Sequence, residues 1–325
     1  FFCDGGEQIE DRYIQCHSHD YGGHGMVDLS GALEKSCNDA LMQIAAKEGI
    51  ALFDKYQVLF GFGQSTNVDL PGEPSDSSLS GLVYHADNMG AVSLAISSFG
   101  QGVTTSMMQV GTAFCSAING GYYYEPSVVQ RIEDENGNIV RNLDPVLVRR
   151  TISEDVSAQM RQFLKNVVSE GTGKKATVEG YEIGGKTGTA EKLPRGNGKY
   201  ILSFIGFAPV DDPQVVIYVV ADEPELQSGS GEAAHLFADI AEAIFPYLNI
   251  YKTDETYDID EATAEDEPAT PIYGGEAPAN DVAGGSDNPY VEQSEGETTT
   301  ETTTEDPSAT TEAPAQDTTQ EAPTG

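Results

Sequence analysis

Apolar residues recur every three or four positions over several stretches of the chain, which places them on one face of a helix. The spacing predicts a helix over 29–35, opened by Asp28 as its N-cap. A second carries Leu41, Ile44 and Ala45 and stops at Gly49. Further helices are predicted over 52–60, closed by Gly61-Phe62-Gly63, and over 89–96. Thr104 or Thr105 caps the next, whose stripe of Met107, Val110, Gly111, Phe114, Ala117 and Ile118 is of core type. Ser153 opens a helix with Val156, Met160, Phe163, Leu164 and Val167 on one face, and a last helix covers 233–248. The segment 65–80, with its prolines, serines and threonines, reads as loop.

The remaining pattern is that of strands. Alternating and apolar runs predict strands around 181–192, 200–208 and 215–221, and a hairpin over 122–140 turning at Asn136-Gly137. The first 26 residues, rich in Gly and His, give a small hairpin from 8–9 and 12–15, then a loop. Strands joined by hairpins, with helices before and after, define an α+β class: an antiparallel sheet flanked by helices.

Periodicity ends near residue 251. Hydrophobic residues make up 38% of the 325, a low share that the end of the chain explains. Beyond residue 251, twenty acidic residues face one lysine, so about half of the net charge of −36 sits in the last quarter. The expected organisation is one domain over 1–251 and a disordered acidic Thr/Pro/Glu-rich tail over 252–325, too poor in apolar surface to offset the entropy of ordering. An acidic body and tail exclude the basic face that nucleic-acid binding requires. No apolar run approaches the 18 or so residues of a membrane span. The chain opens on Phe1-Phe2-Cys3, without an initiator Met or charged leader, and is expected to be part of a longer protein.

Cys3 and Cys16 flank the first hairpin and are candidates to pair, while Cys37 and Cys115 have helical contexts that suit buried thiols. Cys3, Cys16, His17, His19 and His24 form a loose cluster without a recognised zinc spacing, so a polar loop and no metal are expected. Gly171-Thr172-Gly173-Lys174 is not a phosphate loop: Val168 stands where its first glycine belongs, and no strand precedes it.

The candidate chemistry lies in Gly184-Gly185-Lys186-Thr187-Gly188-Thr189-Ala190-Glu191. It reads as an exposed strand beside a second one, with glycines where a ligand can approach the backbone and add to the edge by main-chain hydrogen bonds. Lys186 supplies a cation, and Thr187 and Thr189 supply hydroxyls, for an anionic group. A glycine-rich turn with a solvated lysine is the competing reading.

Upstream, Ser36-Cys37-Asn38 lies at a helix junction. A Ser-x-Asn element followed by Lys-Thr-Gly is found in penicillin-binding proteins and serine β-lactamases. Over residues 1–248 the chain resembles the later part of the transpeptidase domain of a class B penicillin-binding protein. His24-Gly25, Ala32-Leu33-Glu34-Lys35, Ser98-Phe99-Gly100-Gln101-Gly102 with Thr104, Gly171-Thr172-Gly173 and Ser203-Phe204-Ile205-Gly206-Phe207-Ala208-Pro209 share in the likeness. The order of these segments along one chain carries it. One element is missing: no serine here is followed by lysine three positions on, so the family's Ser-x-x-Lys nucleophile is absent.

The resemblance implies a penicillin-binding protein/serine β-lactamase-like transpeptidase fold, truncated on its N-terminal side. It implies acyl transfer from D-Ala-D-Ala stem peptides in peptidoglycan cross-linking, through a serine of the full-length parent, with this chain inactive alone. Ser36 then relays a proton, Asn38 orients the family's catalytic lysine and binds the substrate's peptide group, and Lys186 keeps the site positive. Thr187 and Thr189 bind the terminal carboxylate, Gly188 lets the acyl group lie flat on the strand, and the Thr189 N–H joins the oxyanion hole. Ser98, Gln101 and Thr104 are given structural roles. No metal or organic cofactor is implied. The implied partners are peptidoglycan stem peptides, β-lactams as inhibitors, and division or elongation machinery, with no nucleic acid. The implied location is extracytoplasmic, on an N-terminal membrane anchor of the parent. A β-lactamase or penicillin-sensing receptor shares the motif pair, and a non-catalytic wall-associated scaffold is the reading in which the missing serine is real.

Overall fold

The computed structural model describes residues 1–79, 82–194, 196–225 and 231–253. The expected disordered tail falls, from residue 254 on, outside the described residues.

Three strands form the central antiparallel sheet: β9 (Gly184–Glu191), β10 (Tyr200–Ala208) and β11 (Val215–Asp222), in the order β11-β10-β9. Successive side chains of a strand point to opposite faces, and β10 is buried on both. Phe204 meets Phe237 of α8 (Gly231–Ile244) on one face, ring centroids 4.9 Å apart. Phe207 meets Phe114 of α6 (Met107–Ile118) on the other, at 5.9 Å, within a cluster that includes Leu164 of α7 (Glu154–Ser169). Burying each ring contributes about 1.5–3 kcal/mol relative to exposure. The sheet is therefore covered by α8 on one side and by α6 and α7 on the other.

Before this core come α1 (Leu29–Glu34), α2 (Asn38–Glu48), α3 (Ile50–Leu59), the single turn α4 (Asp76–Leu79) and α5 (Ala91–Ser98). The N-terminal segment is built from short strands. β2 (Gly6–Ile9) and β3 (Arg12–Gln15) make the expected hairpin, while β1 (Phe2–Cys3) pairs with β4 (Gly25–Met26). No helix among the described residues is long and apolar enough to cross a membrane.

Several expectations are corrected. Ser106, rather than Thr104 or Thr105, caps α6: its hydroxyl accepts from the Gln109 N–H while the Gln109 side chain accepts from the Ser106 N–H. Met107 and Met108 at the start of that helix are exposed, so only its later turns are core. The strand pairing over 122–140 is nested. β6 (Arg131–Glu133) and β7 (Ile139–Asn142) form the hairpin around Asn136-Gly137, and β5 (Tyr122–Tyr124) pairs outside it with β8 (Leu147–Arg150). The helix α4 interrupts the segment read as loop.

Candidate active site

The site begins with a strained helix stop. Helix α1 ends in a motif in which the Ser36 N–H donates to the Leu33 carbonyl and the Cys37 N–H to that of Ala32. The residue after the cap must take a left-handed conformation, a place usually held by glycine. Here Ser36 holds it, with φ of 51°. A side chain in that region costs about 1–2 kcal/mol. Helix α2 starts two residues on, with Cys37 as its N-cap and Asn38 as its first residue.

Lys186 approaches from β9. Its Nζ lies 2.5 Å from Ser36 Oγ, 3.1 Å from the Thr187 carbonyl and 3.4 Å from Thr187 Oγ1. Two residues 150 positions apart meet because α7 holds both of their elements. Asn166 of α7 donates to Ser30 Oγ of α1 at 3.1 Å, and the Thr172 N–H donates to the Glu34 carbonyl at 3.0 Å. At Gly171 a Cβ would fall 2.4 Å from that same carbonyl, so only glycine lets the end of α7 dock against the end of α1. On the other side Lys165 of α7 pairs with Glu182, just ahead of β9, at 2.5 Å.

Lys165, Lys175, Lys192 and Lys199 each pair with carboxylates. Among the described residues no carboxylate pairs with Lys186, whose partners are all neutral oxygens. Burial pulls its amine down from 10.5 to about 8. The unfolded chain therefore binds more protons than the folded one between about pH 8 and 10.5, and this residue's contribution to stability rises with pH across that window. Below it both states are protonated and the penalty is constant. In a chain with ¹³C-labelled lysines, one Cε resonance should titrate near pH 8 and vanish in Lys186→Met. Titration of every lysine above pH 10 would contradict the burial argument.

The edge itself is open, since β9 is the outer strand of the described sheet. Thr189 is exposed, and Thr187 Oγ1 lies 3.0 Å from Thr172 Oγ1, which the sequence placed in the likeness but not in the site. The glycines serve a different end from the one expected. A Cβ at Gly184 would meet the Phe207 ring at 2.4 Å, and one at Gly185 the Phe204 ring at 2.4 Å. Both residues are buried and make room for core aromatics, not for a ligand. At Gly188 a Cβ would meet Ser203 Oγ at 2.4 Å across the ladder. Asn38 is half-buried, and its amide makes a long bond of 3.5 Å to the Gln15 carbonyl on the hairpin side of α2.

Asp39 carries no motif that marks it along the chain. It is fully buried, and its Oδ2 accepts from the backbone N–H groups of Asp4, Gly5 and Gly6 at 3.1–3.4 Å, while Gln43 donates to Oδ1 at 2.7 Å. The His/Cys cluster is also regrouped. Cys37 joins Cys3, Cys16 and His24, with all ligand atoms within 4.8 Å of one another. His17 bonds the Lys35 carbonyl instead, and His19 faces the Gly5 carbonyl and Tyr13. Cys3 and Cys16 are free thiols, not a disulfide.

The site thus joins a hydroxyl on left-handed backbone, a half-buried lysine that no carboxylate pairs with among the described residues, and an open strand edge. The penicillin binding protein transpeptidase domain model matches residues 1–242, and the chain belongs to that family. It is 36% identical over 256 residues to stage V sporulation protein D of Bacillus subtilis, covering 77% of this chain and 38% of that protein. Penicillin-binding protein PbpB of Mycolicibacterium smegmatis is 31% identical over 244 residues, 70% of this chain and 37% of that one. Among solved structures, penicillin binding protein 3 of Mycobacterium tuberculosis complexed with ampicillin superposes with a TM-score of 0.69 at 26% identity, over 83% of this chain and 59% of that one. The transpeptidase domain of Burkholderia pseudomallei penicillin-binding protein 3 gives 0.66 at 26%, over 78% and 73%. The chain thus spans under two-fifths of the length of these curated relatives.

Proposed function

We propose that this chain is the later part of the transpeptidase domain of a peptidoglycan D,D-transpeptidase of the class B penicillin-binding proteins. The observation that carries the reading is the approach of Lys186 Nζ to Ser36 Oγ at 2.5 Å beside an open strand edge. The nucleophile belongs to a Ser-x-x-Lys element outside this sequence, because no serine here has a lysine three positions on. That serine attacks the D-Ala-D-Ala carbonyl. Its proton passes by way of the element's lysine and Ser36 to the departing D-alanine amine, and the peptide remains as an ester. An amine on a neighbouring strand then displaces the serine.

Lys186 draws in the terminal carboxylate of the substrate. Thr187 and Thr189 hydroxyls bind it, and the Thr189 N–H serves the oxyanion that forms on attack. Gly188 leaves the strand surface flat beneath the acyl group. Asn38 turns from its long bond with Gln15 toward the substrate's peptide group and the incoming lysine. The same site accepts β-lactams, whose ring amide and carboxylate reproduce the stem-peptide terminus. Support comes from the family and from the ampicillin complex of the mycobacterial structure. The parent works outside the cytoplasmic membrane on an N-terminal anchor, beside division or elongation machinery.

This chain alone should form no covalent adduct with a fluorescent penicillin by intact-mass spectrometry. The parent, extended to include its Ser-x-x-Lys element, should add one penicilloyl group. An adduct on the isolated chain would place the nucleophile within residues 1–325, and an unlabelled parent would end the enzymatic reading.

A further inference from the structure

The backbone groups on the open edge of β9 follow from its pairing with β10. The Lys192 N–H donates to the Lys199 carbonyl at 2.9 Å, and the register runs unbroken back from Glu191 to Gly184. Along an antiparallel strand the backbone groups of successive residues turn alternately to the neighbour and to the outside. Lys186, Gly188 and Ala190 therefore bond to β10, while Thr187, Thr189 and Glu191 turn their N–H and carbonyl groups to the open edge. The side chains of these three also share one face. Glu191 ends the strand and is half-buried.

Charge at this end of β9 is unevenly placed. Lys192 Nζ lies 2.9 Å from Asp222 and 2.7 Å from Glu223, and Lys199 Nζ lies 2.8 Å from Glu223. Asp222 ends β11, on the far side of β10, and Glu223 bridges both lysines from a left-handed φ of 48°. Both lysines of the hairpin are thus drawn away from the open edge. Glu191 Oε1 accepts the Gly196 N–H at 2.5 Å, and among the described residues no cation pairs with its carboxylate. The edge carries a cation at Lys186 and an anion at Glu191, about 17 Å apart along the strand.

We propose that Glu191 is a specificity-determining residue for the acyl donor, and that it receives a primary ammonium on the ligand residue ahead of the D-Ala-D-Ala group. The inference rests on the transpeptidase reading of the site. In that reading the terminal carboxylate lies at Lys186 and the acyl carbonyl at the Thr189 N–H. The ligand then runs antiparallel to β9, and its preceding residue lies alongside Ala190 and Glu191. A long side chain ending in an amine reaches the Glu191 carboxylate there. A side chain ending in a carboxylate is repelled, and a neutral one gains no ion pair. The ligand that complements this edge is dipolar, with an anion at its terminus and a cation beyond the acyl group.

Two ordinary roles fit less well. A brace for the hairpin tip needs one acceptor oxygen for Gly196, which glutamine supplies without a charge. A carboxylate set only for solubility has no reason to stand in line with Thr187 and Thr189 on the edge that binds the ligand, while both nearby lysines are held by other acids.

The test uses the parent and two β-lactams that share one nucleus and differ in the acyl chain, which takes the place of the preceding residue. One chain ends in a primary amine and the other in its N-acetyl form. The readout is the ratio of the two acylation rates within one protein, so any loss of folded protein cancels. Wild type should favour the amine about two- to fivefold, the range of a partly exposed ion pair, and about 1 M salt should erase most of the preference. Glu191→Gln should bring the ratio to one, and Glu191→Lys should bring it below one. A wild-type ratio of one, or a preference that survives in Glu191→Gln, would overturn the assignment and leave the enzymatic reading standing, since both compounds still acylate. A parent that neither compound acylates would overturn both.

Discussion

Lys186→Ala in the full-length parent is expected to lower the rate of acylation by a fluorescent penicillin about 10²–10³-fold, the range for loss of one preorganised electrostatic group. Two effects combine in the substitution. The site loses a half-buried positive charge whose partners here are the neutral oxygens of Ser36 and Thr187. Ser36 also loses the group that holds its hydroxyl in register. In a partly water-excluded site a charge of this kind acts more strongly on an anion than it would in water. Lys186→Arg keeps the charge but spreads it over a planar fork that does not fit a 2.5 Å contact with one hydroxyl. It should fall between the wild type and alanine. Stopped-flow labelling with the three proteins measures the order. A rate for Lys186→Ala within threefold of wild type would remove this residue from the chemistry.

Asp39→Ala should destabilise the chain by about 3–5 kcal/mol, the range for removing one partner of a buried charged interaction. Its carboxylate satisfies three successive backbone N–H groups, those of Asp4, Gly5 and Gly6, and thereby fastens the N-terminal strand segment to α2. Alanine leaves those donors with no acceptor, and each buried unpaired donor costs about 1–3 kcal/mol. Asp39→Asn keeps the shape but weakens the acceptor, so a smaller loss is expected. Urea denaturation followed by circular dichroism gives both values. A loss under about 1 kcal/mol for alanine would mean that water serves the three amides as well as the carboxylate does.

Much of the fold was legible because the periods of its elements are clean. The apolar runs of β10 and β11 and the helical periods of α2, α7 and α8 are clear, and Asp28 of α1 and Ser153 of α7 are recognisable caps. What escaped was set by distant contacts. Nothing local told that Gly184 and Gly185 yield space to Phe207 and Phe204, because that demand comes from the neighbouring strand. The pairing of β5 with β8 was hidden for the same reason: its partner lies beyond an intervening hairpin. Thr104 and Thr105 are as good caps as Ser106 by residue type, and only the reciprocal bond with Gln109 distinguishes Ser106.

The site divides in the same way. Ser36, Asn38 and Lys186 were readable as motif positions. The device that brings the first and third together, α7 with Gly171 at its end, was not, because it acts through a carbonyl contact at Glu34. Asp39 and the Cys3, Cys16, His24, Cys37 group had no local signature either, since their partners come from separated segments.

The account rests on Ser36 and Lys186 acting as one unit, and a double-mutant cycle on penicillin acylation of the parent addresses that most directly. If Lys186 acts by holding the Ser36 hydroxyl in place, Ser36→Ala with Lys186→Ala should be no more than about threefold slower than the worse single variant, because groups that act as a unit are non-additive. Losses that multiply, or single variants that label like wild type, would contradict it.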